Sequence, residues 1–285
     1  MIAYFILVHR YPNQFKRLFK SIYHEDNYYV IHVDKRSGKN IFDEIDLFLN
    51  DYKNASLLES KEAIWGGYSL VDAQLRAIEK LIIMGGGWDY FINLSGQDFP
   101  LKSQSFIMKY LSKFNCCEFI KIANQHLIRP ETIHRIKNYV QEINGELVVS
   151  TTSDRPFLKG VTPYIGNQWM ILSKRFCEFI TYSSELEVFK DFYRNTLIAD
   201  ESFFQTVLMN TTFKSRIIYD DKREIDWVES SDIKLRPRDF LAEDSDMLIN
   251  SQNLFARKFD ENIDSDILNI LEHCIKSPEI SVLSH

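Results

Sequence analysis

A strand, a helix and a second strand are predicted in succession by IAYFILVHRYPNQFKRLFKSIYHEDNYYVIHVD, residues 2–34. Residues 2–8 and 28–34 are largely apolar runs, the pattern of strands buried on both faces of a parallel sheet. Between them, residues 12–23 carry apolar side chains at helical spacing. Parallel strands need a crossover, usually a helix, so this order predicts the α/β class with a mostly parallel sheet flanked by helices.

The same alternation continues along the chain. Three glycines at 85–87 end the third helix, because glycine readily takes the left-handed conformation that follows a helix. Further strands are predicted at 56–59, 88–95, 117–122 and 164–173, and further helices at 41–53, 69–84, 104–114, 131–142, 174–183, 201–210 and 262–276. We find no linker and no internal repeat, so we predict a single domain over residues 1–285.

Composition and charge narrow the range of functions. The chain has 45% hydrophobic and 26% charged residues, as soluble globular proteins do. Its net charge of −6 argues against nucleic-acid binding, which depends on neutralising phosphates. The four cysteines lack the spacing of metal ligands and are interpreted as reduced thiols of a cytosolic protein.

The N-terminal apolar run is too short for a signal peptide and lacks a basic leader and a cleavage site. No segment approaches the apolar length that crosses a bilayer. We therefore expect a cytoplasmic location, with at most peripheral association at the inner face of the membrane.

Polar side chains follow two of the predicted strands. Asp34 ends a strand in HVDKRS, residues 32–37, where ligands of parallel sheets gather. Asp98 follows another strand in the turn of FINLSGQDFPLKS, residues 91–103. In each case a solvated turn explains the residues as well as a binding site does.

Two segments combine glycine with tryptophan. IWGGYSLVDAQL, residues 64–75, is either a loop that cradles a ligand or an ordinary helix start with Ser69 as the N-cap. GNQWMILSK, residues 166–174, places a glycine and an amide beside Trp169. For each segment a purely structural role explains the residues as well as a binding role does.

Two cations are fixed near the C-terminal end. LFARKFD, residues 254–260, holds Arg257 and Lys258 between apolar anchors. Cations that are fixed in this way suit a diphosphate.

Two adjacent carboxylates precede a predicted helix in LIADESFFQTVLMN, residues 197–210. Spacing alone leaves three roles open for Asp200 and Glu201: a helix cap, a metal ligand or a general base. The apolar face of the helix orients the pair, which favours Asp200 as the N-cap and Glu201 facing a cleft.

Taken together, these segments resemble the core-2/I-branching β-1,6-N-acetylglucosaminyltransferase and peptide O-xylosyltransferase family. They occur in the family's order and extend from about residue 18 to residue 260. The segments that carry the resemblance are IYHEDNYYVIHVDKRS, IWGGYSLVDAQL, FINLSGQDFPLKS, GNQWMILSKRF, ADESFFQTVL, KREIDW and LFARKFD.

The resemblance implies a GT-A glycosyltransferase fold, which is Rossmann-like, and inverting transfer from a UDP-sugar. UDP-N-acetylglucosamine and UDP-xylose are the expected donors, and the acceptor is a glycan or a lipid-linked glycan. Members of the family need no divalent metal, so no cofactor is expected. The absence of a paired-cysteine framework favours a bacterial-type enzyme of polysaccharide biosynthesis.

The resemblance also implies roles for individual residues. The residue that matches the family's catalytic base is Glu201, and the lysine that matches the one at the donor diphosphate is Lys258. Arg223 is the best match for a second cation that assists this lysine. Arg236 and Arg238 are rivals for that role, because the segment after Trp227 varies in length within the family.

Four further residues are candidates for contacts with the uridine, the transferred sugar or the acceptor. Asp34 matches the region near the uridine. Trp169 and Trp227 are candidates for stacking on a sugar, and Asp98 is a candidate for a contact with the acceptor or the transferred sugar. Core packing is at least as good an explanation for the two tryptophans.

Two alternatives remain open at this point. A metal-dependent transferase would use an Asp-x-Asp pair, and such pairs occur at residues 244–246 and 264–266, in acidic segments that we interpret as solvated faces or helix starts. A non-catalytic glycan- or nucleotide-binding protein could share the same scaffold.

Overall fold

The computed structural model describes residues 1–150, 155–229 and 235–277. Within these ranges the chain alternates between strands and helices, as predicted. The strands are β1 Ile2–Val8, β2 Tyr28–Val33, β3 Ala55–Leu57, β4 Tyr90–Ser95, β5 Asp98–Pro100, β6 Glu118–Ile120, β7 Ala123–Asn124, β8 Tyr139–Ile143, β9 Glu146–Ser150, β10 Tyr164–Ile165, β11 Met170–Ser173, β12 Ile217–Ile218, β13 Arg223–Ile225, β14 Trp227–Glu229, β15 Leu235–Pro237 and β16 Phe255–Arg257.

The α-helices vary from one turn to more than four turns in length. They are α1 Pro12–Ile22, α2 Lys39–Leu49, α3 Ser69–Met84, α4 Gln104–Leu111, α5 Gln125–Ile128, α6 His134–Lys137, α7 Lys174–Tyr182, α8 Glu187–Tyr193, α9 Phe203–Met209, α10 Ser245–Asn250 and α11 Asp266–Lys276. The longest of them, α3, has the predicted bounds.

The main sheet has the strand order β12-β6-β11-β4-β1-β2-β3. Strands β4, β1, β2 and β3 run parallel to their neighbours in this half of the sheet, whereas β11 is antiparallel to both β4 and β6. The mostly parallel α/β sheet predicted from the sequence is therefore confirmed.

Helices cover both faces of this sheet. Alternate side chains of β1 enter the two cores, so that Tyr4 packs on one face and Phe5 on the other. Helices α1, α2, α4, α10 and α11 contribute to the first core, and α3, α7, α8 and α9 contribute to the second. This layering leaves the C-terminal ends of β1, β2 and β4 at one edge, where ligands of such sheets bind.

A second, small sheet brings two of the quoted segments together. Its order is β13-β16-β5, and β16 pairs with β5 so that Arg257 lies opposite Asp98. The sequence indicated only a turn after Ser95, because strands of three residues carry too little periodicity to be recognised.

The predicted helix at 131–142 is wrong. The chain forms the short helix α6 and then the antiparallel hairpin β8–β9. Asn144 and Gly145 form its turn with φ angles of 52° and 81°. Asn-Gly is a strong hairpin signal, but the helical spacing of the isoleucines before it concealed the turn.

Two other segments differ from the prediction. The strand expected at 164–173 is divided into β10, which pairs with β7, and β11, which lies in the main sheet. Helix α8 lies in a segment that the sequence left as a loop. The single-domain organisation over residues 1–285 stays a prediction.

Candidate active site

Charged groups from three segments meet at the C-terminal edge of the main sheet. His9 follows β1 and interacts electrostatically with Asp34, Arg257 and Lys258. Asp34 follows β2, which pairs with β1. The structure therefore brings the Asp34 and LFARKFD segments to one place, although more than 200 residues separate them.

Asp34 is held by the turn that follows it. Its carboxylate accepts hydrogen bonds from the Arg36 backbone N–H, at 2.9 Å, and from the Arg36 guanidinium, at 3.0 Å. Burial alone would raise the pKa of Asp34, but the bonds from Arg36 outweigh it and lower that pKa below its usual value. Asp34 is therefore a fixed anion at neutral pH, suited to accept a hydrogen bond from a hydroxyl.

Arg257 is the most rigidly held cation at this edge. Its guanidinium donates a hydrogen bond to Asp98 Oδ1 at 2.8 Å and lies 4.2 Å from the centroid of the Trp169 ring. Asp98 is buried and also accepts a bond from Ser95 N–H at 3.0 Å. Asp98 and Trp169, predicted as sugar or acceptor contacts, have almost no exposed surface and instead support Arg257.

Lys258 lies beside Arg257 and is less constrained. Its Nζ is 3.6 Å from Asp239 Oδ1, and its side chain is 23% exposed. Its carbonyl accepts a bond from Phe240 N–H at 2.8 Å, which fixes the backbone. The ammonium can therefore leave a loose ion pair and reach an anionic ligand.

Arg223, the best match for the second cation, is buried. Its guanidinium donates to the carbonyl of Asn93 at 2.9 Å and stacks on Phe255 at 4.4 Å. Burial lowers its pKa, while the charges of Asp98 and Asp221 raise it. Arg223 is 2% exposed, whereas the side chain of Arg257, the neighbour of Lys258, is 14% exposed.

The two rival arginines differ in their surroundings. Arg238 precedes Asp239, the ion-pair partner of Lys258, but its guanidinium is bound by the carboxylates of Asp226 and Asp244, the latter at 2.6 Å. Arg236 is exposed on β15, and Trp227 is 42% exposed on its partner strand β14.

Glu201 lies in a 3₁₀ turn at 199–201 that precedes α9. Its side chain is 29% exposed, and its Oε2 accepts a hydrogen bond from the Arg135 guanidinium at 2.7 Å. A partly exposed carboxylate can be reached by the hydroxyl of a ligand, which general-base catalysis requires.

The interpretation of Asp200 as an N-cap is wrong. Helix α9 begins at Phe203 without a side-chain cap, and Asp200 is buried with no hydrogen-bond partner for its Oδ1 among the described residues. Burial and the charge of Glu201 raise the pKa of Asp200 well above its usual value. The buried carboxyl therefore favours its neutral form.

A loop at residues 166–169, the linking loop, joins the two halves of the site. Gly166 N–H donates to the carbonyl of Glu201 at 2.8 Å, and Trp169 at its other end supports Arg257. A Cβ at Gly166 would lie 1.9 Å from the carbonyl oxygen of Lys121, so only glycine fits. The quoted GNQW segment thus connects the backbone of Glu201 with the side chain of Arg257.

The IWGG segment contacts the chain just before Glu201. The carbonyl of Gly66 accepts a bond from Ile198 N–H at 2.7 Å, and the Trp65 ring beside it is 66% exposed. Ser69 is the first residue of α3, not its N-cap, and its N–H donates to Glu142 at 2.8 Å. Trp65 is a candidate contact residue that sequence reasoning left unassigned.

The two Asp-x-Asp pairs have structural roles. Asp244 binds Arg238, and Asp264 accepts bonds from the first backbone N–H groups of α11. Within residues 1–150, 155–229 and 235–277, no three His, Cys, Asp or Glu side chains gather as metal ligands would. Over the same ranges, no helix combines the length and the apolar character needed to cross a bilayer.

Comparisons with known proteins identify relatives over most of the chain. A family model described as Core-2/I-Branching enzyme matches residues 2–247. A xylosyltransferase of Ciona intestinalis is 32% identical over 290 residues, which cover 95% of this chain and 34% of that protein. Xylosyltransferase 2 of Mus musculus is 30% identical over 295 residues, with coverage of 95% and 33%. The chain therefore spans about a third of the length of the curated relatives it matches.

The comparison with solved structures gives matches at low identity. The galactosyltransferase LgtC in complex with donor and acceptor sugar analogs is 9% identical, covers 97% of both chains and gives a TM-score of 0.47. Staphylococcus aureus TarS in complex with UDP-GlcNAc is 10% identical over 69% of this chain and 55% of that one, with a TM-score of 0.35.

Proposed function

Because the chain belongs to the Core-2/I-branching enzyme family, we propose that it is an inverting glycosyltransferase that uses a UDP-sugar and no divalent metal. The observation that carries the proposal is the linking loop, which joins Glu201 to the site of the cations. A base and a cation site held by one short loop are what transfer from a nucleotide sugar requires.

The donor end is formed by Asp34, Arg257 and Lys258. Asp34 is a fixed anion that accepts hydrogen bonds from the nucleoside, as the family resemblance implies. Arg257 and Lys258 bind the diphosphate, because a guanidinium fork and an ammonium match phosphate oxygens. As the bond from C1 to the diphosphate breaks, both cations stabilise the charge that develops on UDP.

The acceptor end is formed by Glu201. Its carboxylate takes the proton of an acceptor hydroxyl while the hydroxyl oxygen attacks C1 from the side opposite UDP. The new C1–O bond forms as the old one breaks, so UDP leaves with the bonding pair and the configuration at C1 inverts. Trp65 is exposed next to this segment and supplies a ring on which a sugar can stack.

Relatives favour xylose as the transferred sugar. The curated relatives are named xylosyltransferases, and N-acetylglucosamine is the second candidate from the family resemblance. The acceptor is a hydroxyl of a glycan, free or lipid-linked. The cytoplasmic location and any peripheral association with a membrane stay predictions.

A turnover screen tests the proposal. The purified chain is incubated with a panel of UDP-sugars and glycan acceptors, with and without EDTA, and release of UDP is measured. We expect release with UDP-xylose or UDP-N-acetylglucosamine that EDTA does not reduce. Loss of activity in EDTA with rescue by manganese would show a metal-dependent enzyme, and binding without turnover would show a glycan- or nucleotide-binding protein.

A further inference from the structure

Arg135 forms an ion pair with the proposed base. Its guanidinium lies 2.7 Å from Glu201 Oε2, and the two side chains are 18% and 29% exposed. This pair is therefore more protected from solvent than an ordinary surface ion pair. Water and salt weaken the attraction between the charges of an exposed pair. The second carboxylate oxygen of Glu201, Oε1, takes no part in this ion pair.

The backbone around Arg135 holds the segment that carries the base, residues 195–201. The carbonyl of Arg135 accepts a bond from Leu197 N–H at 3.2 Å. Val140 N–H donates to the carbonyl of Asn195 at 3.0 Å, and the Asn195 amide donates to the carbonyl of Val140 at 2.9 Å. Arg135 in α6 and Val140 in β8 thus hold this segment through the main chain, and the Arg135 side chain binds Glu201 itself.

Arg135 also acts on the carboxyl group next to the base. Burial and the charge of Glu201 raise the pKa of Asp200, and the charge of Arg135 lowers it. Arg135 is therefore a positive charge near both carboxyl groups, and its hydrogen bond is to Glu201.

We propose that Arg135 is a positioning residue for Glu201: it binds Oε2 so that Oε1 faces the acceptor hydroxyl. This inference rests on the proposed function. It assigns a role to a residue whose helix, α6, lies outside the sequence segments that carry the family resemblance.

Steady-state kinetics of Arg135→Gln and Arg135→Lys test the inference, with Arg129→Gln as the matched control. Arg129 lies in the same region and pairs with Glu131 on the surface. We expect Arg135→Gln to lower kcat about 100-fold, because a misplaced catalytic group loses that order of rate. KM for the UDP-sugar should stay within about threefold. Arg135→Lys should restore part of kcat, and Arg129→Gln should match the wild type.

A double variant separates positioning from general loss of structure. In Glu201→Gln, which lacks the base, adding Arg135→Gln should cause no further loss of kcat. Three results would overturn the inference: an unchanged kcat in Arg135→Gln, an effect confined to KM for the acceptor, or an equal loss in both backgrounds. A wild-type chain that turns over no UDP-sugar would overturn the proposed function and this inference with it.

Discussion

The guanidinium of Arg257 donates a hydrogen bond to the buried carboxylate of Asp98 at 2.8 Å, across the pairing of β16 with β5. The guanidinium thereby balances the charge of Asp98, and this ion pair fixes Arg257 at the edge of the main sheet. Because Arg257 is held on one side by Asp98 and on the other by Trp169, the position of the adjacent Lys258 is set as well. Arg257 is therefore placed before a ligand arrives and can stabilise charge without reorganisation, whereas the Lys258 ammonium has to leave its ion pair with Asp239.

Lys258→Gln should weaken UDP binding. The substitution removes one charge-assisted hydrogen bond to the diphosphate, worth about 1.5–3 kcal/mol, so the Kd for UDP should rise about tenfold or more. Isothermal titration calorimetry with UDP measures the change. Arg236→Gln removes an exposed arginine as the matched control and should leave the Kd unchanged. Equal affinity in wild type and Lys258→Gln would remove this lysine from the diphosphate site.

Arg223→Met should reduce stability. The guanidinium is buried, donates to the Asn93 carbonyl, and interacts with the charges of Asp98 and Asp221. Removing one partner of buried charges costs about 3–5 kcal/mol of unfolding free energy. Urea unfolding of Arg223→Met and of Arg236→Met, the exposed control, measures the difference. A stable Arg223→Met variant that no longer binds UDP would instead restore the direct role predicted from the sequence.

Glu118→Gln should change how stability depends on pH. Glu118 is buried on β6 and accepts hydrogen bonds from Ser173. Burial raises the pKa of Glu118 to about 7, and the bonds from Ser173 offset only part of this effect. Between about pH 4.5 and pH 7 the unfolded chain loses this proton while the folded chain keeps it, so stability falls as pH rises.

The contribution of Glu118 to this fall is up to about 3 kcal/mol. Urea unfolding at pH 5 and pH 8 should show a smaller difference for Glu118→Gln than for the wild type, and a more stable variant at pH 8. Glu146→Gln, on the exposed hairpin, should leave the wild-type difference intact. An unchanged difference in Glu118→Gln would mean that Glu118 is ionised in the folded protein near pH 5.

Elements with long apolar patterns were predictable from the sequence. The bounds of β1 and α3 agree with the predictions at 2–8 and 69–84. A strand buried on both faces needs a continuous apolar run, and a helix packed against a sheet needs one apolar face. The continuous run and the helical spacing of apolar residues can both be seen in the sequence alone.

The contacts that form the site were less predictable. Sequence matching favoured Arg223 as the second cation, but Arg223 is buried, and Arg257 lies beside Lys258 with a side chain that is 14% exposed. Strands β16 and β5 have three residues each, so their pairing depends on tertiary contacts. Arg135 lies 66 residues before Glu201, and no local pattern connects the two. The general family resemblance was confirmed, whereas the roles of individual residues await measurement.

The proposed role of Glu201 as the general base is tested most directly by the variant Glu201→Gln. The amide has the size of the carboxylate but cannot take a proton, so transfer should fall about 1000-fold, within the usual range for general bases. Glu131→Gln, an exposed glutamate with an arginine partner, is the matched control and should keep wild-type turnover. UDP release during transfer and calorimetric binding of UDP are measured for both variants. We expect Glu201→Gln to lose transfer and still to bind UDP with wild-type affinity, and full transfer by Glu201→Gln would show that Glu201 is not the base.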